Sequence, residues 1–191
     1  MSALHHIPNA LCVLRMLLAF PVAWLLVRGE YVQTLIVFGV AALTDGLDGF
    51  LAKRFNWTSE LGKALDPLAD KILLVTAFAA LTYMRVVPLW LVVPVVLRDV
   101  IITVGAIAYV RWFGPLTEAK PTLISKLNTL FQIGFIISSV ASRAFTLDWH
   151  TVNIVLATLV IVTTICSGID YIATYVQLAL KVSRARAGAA P

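Results

Sequence analysis

The chain has 191 residues, of which 60% are hydrophobic and only 13% are charged, about half the charged share of an ordinary soluble domain. Together with a mean hydropathy of +0.92, this composition excludes a typical soluble globular domain and favours an integral membrane protein. The formal net charge is +5, but no basic patch interleaves with exposed aromatic residues, so nucleic acid is not an expected partner.

Six stretches of the chain are long and apolar enough to span a bilayer, which takes about 20 residues. They cover residues 7–27, 33–53, 64–84, 87–112, 124–145 and 152–180. They must be helices, because lipid offers no partner to backbone N–H and C=O groups. The sequence therefore predicts an all-α integral membrane protein, with six transmembrane helices in a single domain over residues 1–191.

Basic residues are distributed unevenly between the two sides of the membrane that these spans define. Nine lie on the side of the termini and three on the other side. The nine are Lys53, Arg54, Lys63, Arg111, Lys120, Lys126, Lys181, Arg184 and Arg186, and the three are Arg28, Arg85 and Arg143. By the positive-inside rule, both termini face the cytoplasm of a multi-pass protein in the cell membrane. The N-terminal residues lack the positive region of a cleaved signal peptide.

Four aspartates lie inside the apolar stretches, where carboxylates are costly. Asp45 and Asp48 are late in the second stretch, and Asp66 and Asp70 are early in the third. An Asp at the centre of a membrane helix costs about 2.5–3.5 kcal/mol, so the group needs a positive counterpart. Spacings of three and four residues place each pair on one helix face. A short connector predicts antiparallel neighbours with all four acids at one depth.

Each aspartate alone has a plainer structural explanation. Asp66 precedes Pro67, the arrangement of a helix N-cap followed by proline, and Asp45 or Asp48 could pair with a nearby basic residue. The four together favour bound divalent cations, because nearby lysines cannot neutralise a cluster that faces one cleft. Oxygen-only ligands suit Mg²⁺, Mn²⁺ or Ca²⁺ rather than Zn²⁺. Four carboxylates can hold two ions, which would stabilise the attacking and leaving oxygens of a phosphoryl displacement.

Residues 45–70 read DGLDGFLAKRFNWTSELGKALDPLAD. This segment resembles the signature of the CDP-alcohol phosphatidyltransferase (class I) family, D-x-x-D-G-x-x-A-R, eight residues, G-x-x-x-D-x-x-x-D. Seven of the eight fixed positions match: Asp45, Asp48, Gly49, Ala52, Gly62, Asp66 and Asp70. The exception is Lys53, where the family usually has Arg, so a point charge replaces a bidentate group.

The resemblance implies a six-helix membrane protein, usually a homodimer, with a polar cleft that opens to the cytoplasm. In the family, the matching aspartates bind two divalent cations, Mg²⁺ or Mn²⁺, and the position of Asp70 also accepts the proton of the incoming hydroxyl. The residues expected at the CDP-lipid are Asn9, Arg15, Gly49, Lys53, Ser59 and Gly62. Asn9 and Arg15 fit the pattern N-x-L-T-x-x-R of phospholipid-making relatives, although Cys12 replaces its Thr.

Three later segments resemble the cardiolipin synthase branch of the family: LADKILL at 68–74, RDV at 98–100 and KPTLISKLNTLFQ at 120–132. This resemblance implies that the phosphatidyl group of CDP-diacylglycerol is transferred to phosphatidylglycerol, giving cardiolipin and CMP. The alternative is a phosphatidylglycerophosphate synthase, with glycerol-3-phosphate as the acceptor.

Both acceptors carry a phosphate, so we expect basic residues at the acceptor, and the candidates are Arg98, Arg111 and Lys126. Arg98 could instead pair with Asp99 or Asp170, and the other two could be orientation charges.

Two other classes of protein have intramembrane acids. A transporter or channel would place them along a full crossing path, whereas these cluster at one predicted depth. A non-catalytic scaffold that binds lipid headgroups has no use for the quartet. The sequence therefore favours the enzyme.

Overall fold

The computed structural model describes the backbone of residues 7–55, 60–113 and 122–188. Within these ranges, side chains are described except at residues 7–9, 45–55, 60–67, 113, 179 and 181–188. All regular secondary structure in the described ranges is helical, which confirms the predicted all-α class.

Six helices form in the described ranges, one for each predicted stretch. They are α1 (Ile7–Val27), α2 (Tyr31–Phe55), α3 (Glu60–Tyr83), α4 (Leu89–Phe113), α5 (Leu123–Ala144) and α6 (His150–Gly188). The largest differences from the prediction are that α3 begins at residue 60 rather than 64, and that α6 ends at residue 188 rather than 180.

Four of the helices contain a segment long and apolar enough to cross a membrane. These segments are Ala10–Val27, Leu89–Trp112, Leu123–Ala144 and His150–Leu178. The described side chains of α2 form a shorter apolar segment, Tyr31–Thr44. The chain is therefore an integral membrane protein, and membrane crossing by α2 and α3 stays a prediction.

The chain divides into two compact units. Unit one comprises residues 1–89 and 133–153, and so contains α1, α2, α3, the second half of α5 and the start of α6. Unit two comprises residues 90–132 and 154–191, and so contains nearly all of α4, the first half of α5 and most of α6. Each unit contains helices that are distant in the sequence.

In unit one, α1 packs against both α2 and α3. The buried positions along α1 include Cys12, Arg15, Ala19, Val22 and Leu26. Their spacing of three or four residues places them in one stripe along the helix, which we call the α1 stripe. Arg15 is its charged member, so a cation lies within an otherwise apolar packing face.

In unit two, α4 and α6 approach each other closely at Gly105. A Cβ atom at this position would lie 2.8 Å from Cε2 of Tyr175, too close for an unshifted side chain. The hydroxyl of Tyr175 donates a hydrogen bond to the backbone oxygen of Ile102 over 3.2 Å. The absence of a side chain at Gly105 therefore makes room for the ring that joins these helices.

Candidate active site

Asp70, the last acid of the predicted group, is held by an arginine from another helix. It lies on α3, and Nη1 of Arg15 on α1 donates a hydrogen bond to its Oδ1. The side chain of Arg15 is 1% exposed, whereas that of Asp70 is 40% exposed. In this pair, the guanidinium is therefore shielded from solvent and the carboxylate is accessible.

The sequence placed Arg15 at the CDP-lipid, and the structure places it beside Asp70. A guanidinium this deeply buried requires a charged or polar partner, because desolvating an unpaired charge costs several kcal/mol. The position of Arg15 in the α1 stripe is the signal that could have revealed its burial, although not the identity of its partner. An arginine at the same helical phase as buried apolar residues must find its partner inside the protein. Its predicted contact with the CDP-lipid stays a prediction.

The side chains of the other three predicted metal ligands, Asp45, Asp48 and Asp66, lie outside the described residues. Their backbone is helical, however, so Asp45 and Asp48 are one turn apart on α2, and Asp66 and Asp70 are one turn apart on α3. At a rise of 1.5 Å per residue, all four lie roughly 9–15 Å from the helix ends that flank residues 56–59. The common depth of the four acids stays a prediction, because it also depends on how α2 and α3 align.

The explanation of Asp66 as a helix N-cap is wrong. Because α3 begins at Glu60, both Asp66 and Pro67 lie inside the helix. Proline at an interior position removes one backbone hydrogen bond and disfavours the helix. Asp66 therefore does not cap the start of α3.

The remaining residues predicted at the CDP-lipid cannot be assigned contacts. Asn9 lies in the first turn of α1, Gly49 and Lys53 lie in the second half of α2, and Gly62 lies in the first turn of α3. The side-chain positions of these four are outside the described residues, and Ser59 lies outside them entirely. Their roles stay predictions.

Arg98, which was predicted to bind the phosphate of the acceptor, lies in a buried hydrogen-bond network of unit two. Its Nη1 donates to Oδ1 of Asp99 over 2.6 Å, and its Nη2 donates to the hydroxyls of Ser125 and Ser167 over 2.5 Å and 2.6 Å. Its guanidinium carbon lies 5.8 Å from the ring centroid of Tyr171. The structure thus contains the Asp99 pair that the sequence offered as an alternative, and the acceptor role stays a prediction.

Arg111 and Lys126, the other two acceptor candidates, are both exposed. Arg111 lies in the last turn of α4, and Lys126 lies in the first turn of α5, where its backbone N–H donates to the oxygen of Thr122 over 3.2 Å. No ion pair forms between either residue and the rest of the described chain. Both remain available for an anionic ligand or as orientation charges.

Sequence reasoning missed a second polar contact in unit two. Asn128 of α5 is fully buried, and its Oδ1 accepts hydrogen bonds from the hydroxyls of Thr163 and Thr164 of α6 over 2.9 Å and 3.0 Å. Asn128 Nδ2 and, one turn further along α5, Nε2 of Gln132 are buried without a hydrogen-bond partner among the described residues. The pattern S-x-x-N-x-x-x-Q of residues 125–132 repeats at helical spacing, and it could have indicated this polar face.

Comparison with known proteins places the chain in a family. The model of the CDP-alcohol phosphatidyltransferase family matches residues 5–182. Cardiolipin synthase (CMP-forming) of Homo sapiens is 39% identical over 155 residues, which are 73% of this chain and 51% of the human protein. The Streptomyces coelicolor protein of the same name is 34% identical over 104 residues, 51% of this chain and 48% of that protein.

A relative that is named for another activity also matches. CDP-diacylglycerol–glycerol-3-phosphate 3-phosphatidyltransferase of Aquifex aeolicus is 33% identical over 132 residues, 66% of this chain and 70% of that protein. The chain spans about half the length of the human and Streptomyces relatives that it matches. The motif of residues 45–70 and the match over residues 5–182 agree, and the chain belongs to the CDP-alcohol phosphatidyltransferase family.

Proposed function

We propose that this chain transfers the phosphatidyl group of CDP-diacylglycerol to a hydroxyl of phosphatidylglycerol, producing cardiolipin and CMP. The observation that carries the proposal is the accessible Asp70 carboxylate, held by Arg15 at the last position of the family motif. The similarity to human cardiolipin synthase (CMP-forming), 39% identity over 155 residues, supports this acceptor.

The residues present fit divalent cations by the chemistry of their donor atoms. Asp70 offers a partly exposed carboxylate oxygen, which is the hard type of ligand that Mg²⁺ prefers. We propose that Asp45, Asp48, Asp66 and Asp70 hold two cations, Mg²⁺ or Mn²⁺. When bound, such ions supply positive charge to the oxygens of the diphosphate.

The chain's own residues then carry out the remaining steps. Asp70 accepts the proton of the phosphatidylglycerol hydroxyl, and the ion pair with Arg15 fixes the orientation of the carboxylate for this transfer. The oxygen attacks the phosphorus on the lipid side, the bond to the CMP oxygen breaks, and Lys53 stabilises the charge on departing CMP. The proton on Asp70 returns to water before the next cycle.

The arrangement in the membrane belongs to the same proposal. Six helices span the bilayer, both termini and a polar cleft face the cytoplasm, and two copies form a homodimer. The unequal distribution of basic residues between the two sides supports the orientation. Asn9, Arg15, Gly49, Lys53, Ser59 and Gly62 are proposed to contact CDP-diacylglycerol, and Arg98, Arg111 and Lys126 to contact the acceptor phosphate.

Glycerol-3-phosphate is the second candidate acceptor, because the Aquifex aeolicus relative whose name contains this acceptor matches 66% of this chain. The two acceptors give different lipids, so the product distinguishes them. Purified protein is incubated with CDP-diacylglycerol, Mn²⁺ or Mg²⁺, and one acceptor at a time. CMP release and the lipid product are measured.

Cardiolipin formation from phosphatidylglycerol that disappears in Asp70→Asn is the expected result. Product formation with glycerol-3-phosphate alone would assign the second function. Absence of CMP release with either acceptor, together with cation flux in proteoliposomes, would contradict the enzyme and indicate a transporter.

A further inference from the structure

We propose that Arg15 is a positioning residue that opposes metal binding at Asp70. When no metal is bound, Arg15 supplies the positive charge that offsets the acid group, by which we mean Asp45, Asp48, Asp66 and Asp70. The same charge weakens the affinity of this group for divalent cations. This inference rests on the proposed function, because it takes Asp70 to be a metal ligand. It goes beyond the proposed contact of Arg15 with the CDP-lipid, because that contact alone would leave metal affinity unchanged.

The first step of the argument is the asymmetric burial of the pair. Arg15 lies in the α1 stripe, between Cys12 and Ala19, and its side chain is 1% exposed. Asp70 is 40% exposed. A ligand that approaches from solvent therefore reaches the carboxylate, with the guanidinium already bound on the protein side.

The second step is that Arg15 cannot move away when a cation arrives. Arginine stays charged in proteins, and α1 packs against α2 and α3 on the side of this stripe. Exchanging the Asp70 contact for water would require the helices to separate. The guanidinium consequently remains close to Asp70 in both the metal-free and the metal-bound protein.

The third step is electrostatic. Charges separated by a few ångströms interact strongly at a partly buried site, because the effective dielectric constant there is far below that of water. Without metal, Arg15 attracts the carboxylate of Asp70 and offsets repulsion within the acid group. With metal, the same charge repels the ion. The pair therefore stabilises the metal-free fold and lowers metal affinity.

The test measures Mn²⁺ binding without any substrate. Wild type, Arg15→Gln, Arg15→Lys and the control Arg143→Gln are titrated with Mn²⁺ in detergent at pH 8, and free Mn²⁺ is followed by electron paramagnetic resonance. The control removes an equal charge from an exposed arginine of α5 that donates to the backbone oxygen of Ser139 over 3.1 Å. Unfolding temperatures with and without Mn²⁺ are measured in parallel.

We expect Arg15→Gln to bind Mn²⁺ about tenfold more tightly or better, and to show a larger rise in unfolding temperature on adding Mn²⁺. Arg15→Lys and Arg143→Gln should bind as wild type does. If Arg15→Gln is unfolded without metal, folding in saturating Mn²⁺ supports the proposal, and failure to fold there overturns it.

Two further results also overturn it. Unchanged or weaker Mn²⁺ affinity in Arg15→Gln contradicts a charge that opposes the metal, and a raised KM for CDP-diacylglycerol alongside it would instead assign Arg15 to the lipid. Failure of the proposed function looks different, because wild type itself would then bind no Mn²⁺ and release no CMP.

Discussion

Two buried arginines, one in each unit, are paired with aspartates in opposite ways. In unit one, Arg15 binds Asp70, which is 55 residues away in the sequence and has a side chain 40% exposed. In unit two, Arg98 binds the adjacent Asp99, whose side chain is only 11% exposed. The arginines are similarly buried, so the difference lies in the carboxylates.

That difference separates a site from a structural link. The Arg98 guanidinium also donates to Ser125 of α5 and Ser167 of α6, so it connects three helices and uses most of its N–H groups inside the protein. Asp70 keeps accessible surface that a proton or a cation can reach. An accessible carboxylate can take up a proton or bind a cation. The Arg98–Asp99 pair fixes helix packing, and the proposed contact of Arg98 with the acceptor phosphate would be an additional role.

The largest expected effect comes from neutralising each carboxylate in turn. Asp70→Asn should lower the rate of CMP release by about 10²-fold to 10⁴-fold, because asparagine cannot accept the proton of the acceptor hydroxyl. Asp99→Asn should retain measurable turnover in the folded fraction and mainly lower the unfolding temperature. CMP release and thermal unfolding, measured on the same preparations, check both. Equal losses of turnover in the two variants would contradict the distinction between the Arg15–Asp70 pair, whose carboxylate is open to solvent, and the Arg98–Asp99 pair, whose carboxylate is closed.

The second prediction concerns the closed pair itself. Arg98→Met should destabilise the protein by about 3–5 kcal/mol, because the buried carboxylate of Asp99 then loses the positive charge of its guanidinium partner. The double variant Arg98→Met, Asp99→Leu should recover most of this loss, since it removes both charges. The free energies of unfolding of wild type and the two variants, measured in detergent micelles, check both expectations.

The same variants test the acceptor role of Arg98. If Arg98 binds the phosphate of phosphatidylglycerol, the double variant regains stability but keeps a raised KM for that lipid. If the pair is purely structural, stability and KM recover together. The two outcomes separate the explanations that the sequence left open for this residue.

The approximate positions of the helices could be predicted from the sequence, and so could the helical spacing of the aspartates, because both depend on local patterns. Span length identifies a membrane helix, and spacings of three and four residues place Asp45 with Asp48 and Asp66 with Asp70. Helix α3 begins at Glu60, four residues before the predicted stretch, which followed the apolar run, and the helix continues through Pro67. Tertiary context can stabilise a helix through an interior proline despite the lost hydrogen bond.

The two ion pairs could not be predicted equally well. Asp99 follows Arg98 directly, so that pair was among the sequence alternatives. The partner of Arg15 depends on which helix α1 packs against, and no local pattern contains that information. The hydroxyls of Ser125 and Ser167 were missed for the same reason, because a serine in an apolar helix gives no sign of which helix it faces.

Packing in unit two gives a third, smaller effect. Gly105→Ala should destabilise the protein by about 1–3 kcal/mol, because the new Cβ would lie 2.8 Å from the Tyr175 ring. Gly39→Ala in α2 of unit one is the matched control, since no atom lies within 4 Å of its Cβ position, and it should be neutral or stabilising by up to about 1 kcal/mol. Unfolding temperatures measure both, and an equal response would contradict the close contact of α4 and α6.

The smallest expected effect comes from the buried amide of Gln132. Its Nε2 has no hydrogen-bond partner among the described residues, and a buried unsatisfied donor costs about 1–3 kcal/mol. Gln132→Met keeps a similar side-chain shape and removes that donor, so the unfolding temperature should stay unchanged or rise slightly. Asn128→Leu should lower it instead, because the Asn128 Oδ1 that it removes accepts hydrogen bonds from Thr163 and Thr164. If Gln132→Met is the more damaging of the two, its amide binds a group that matters to the fold or to the substrate, and unit two then contains a polar site beyond the closed Arg98 pair.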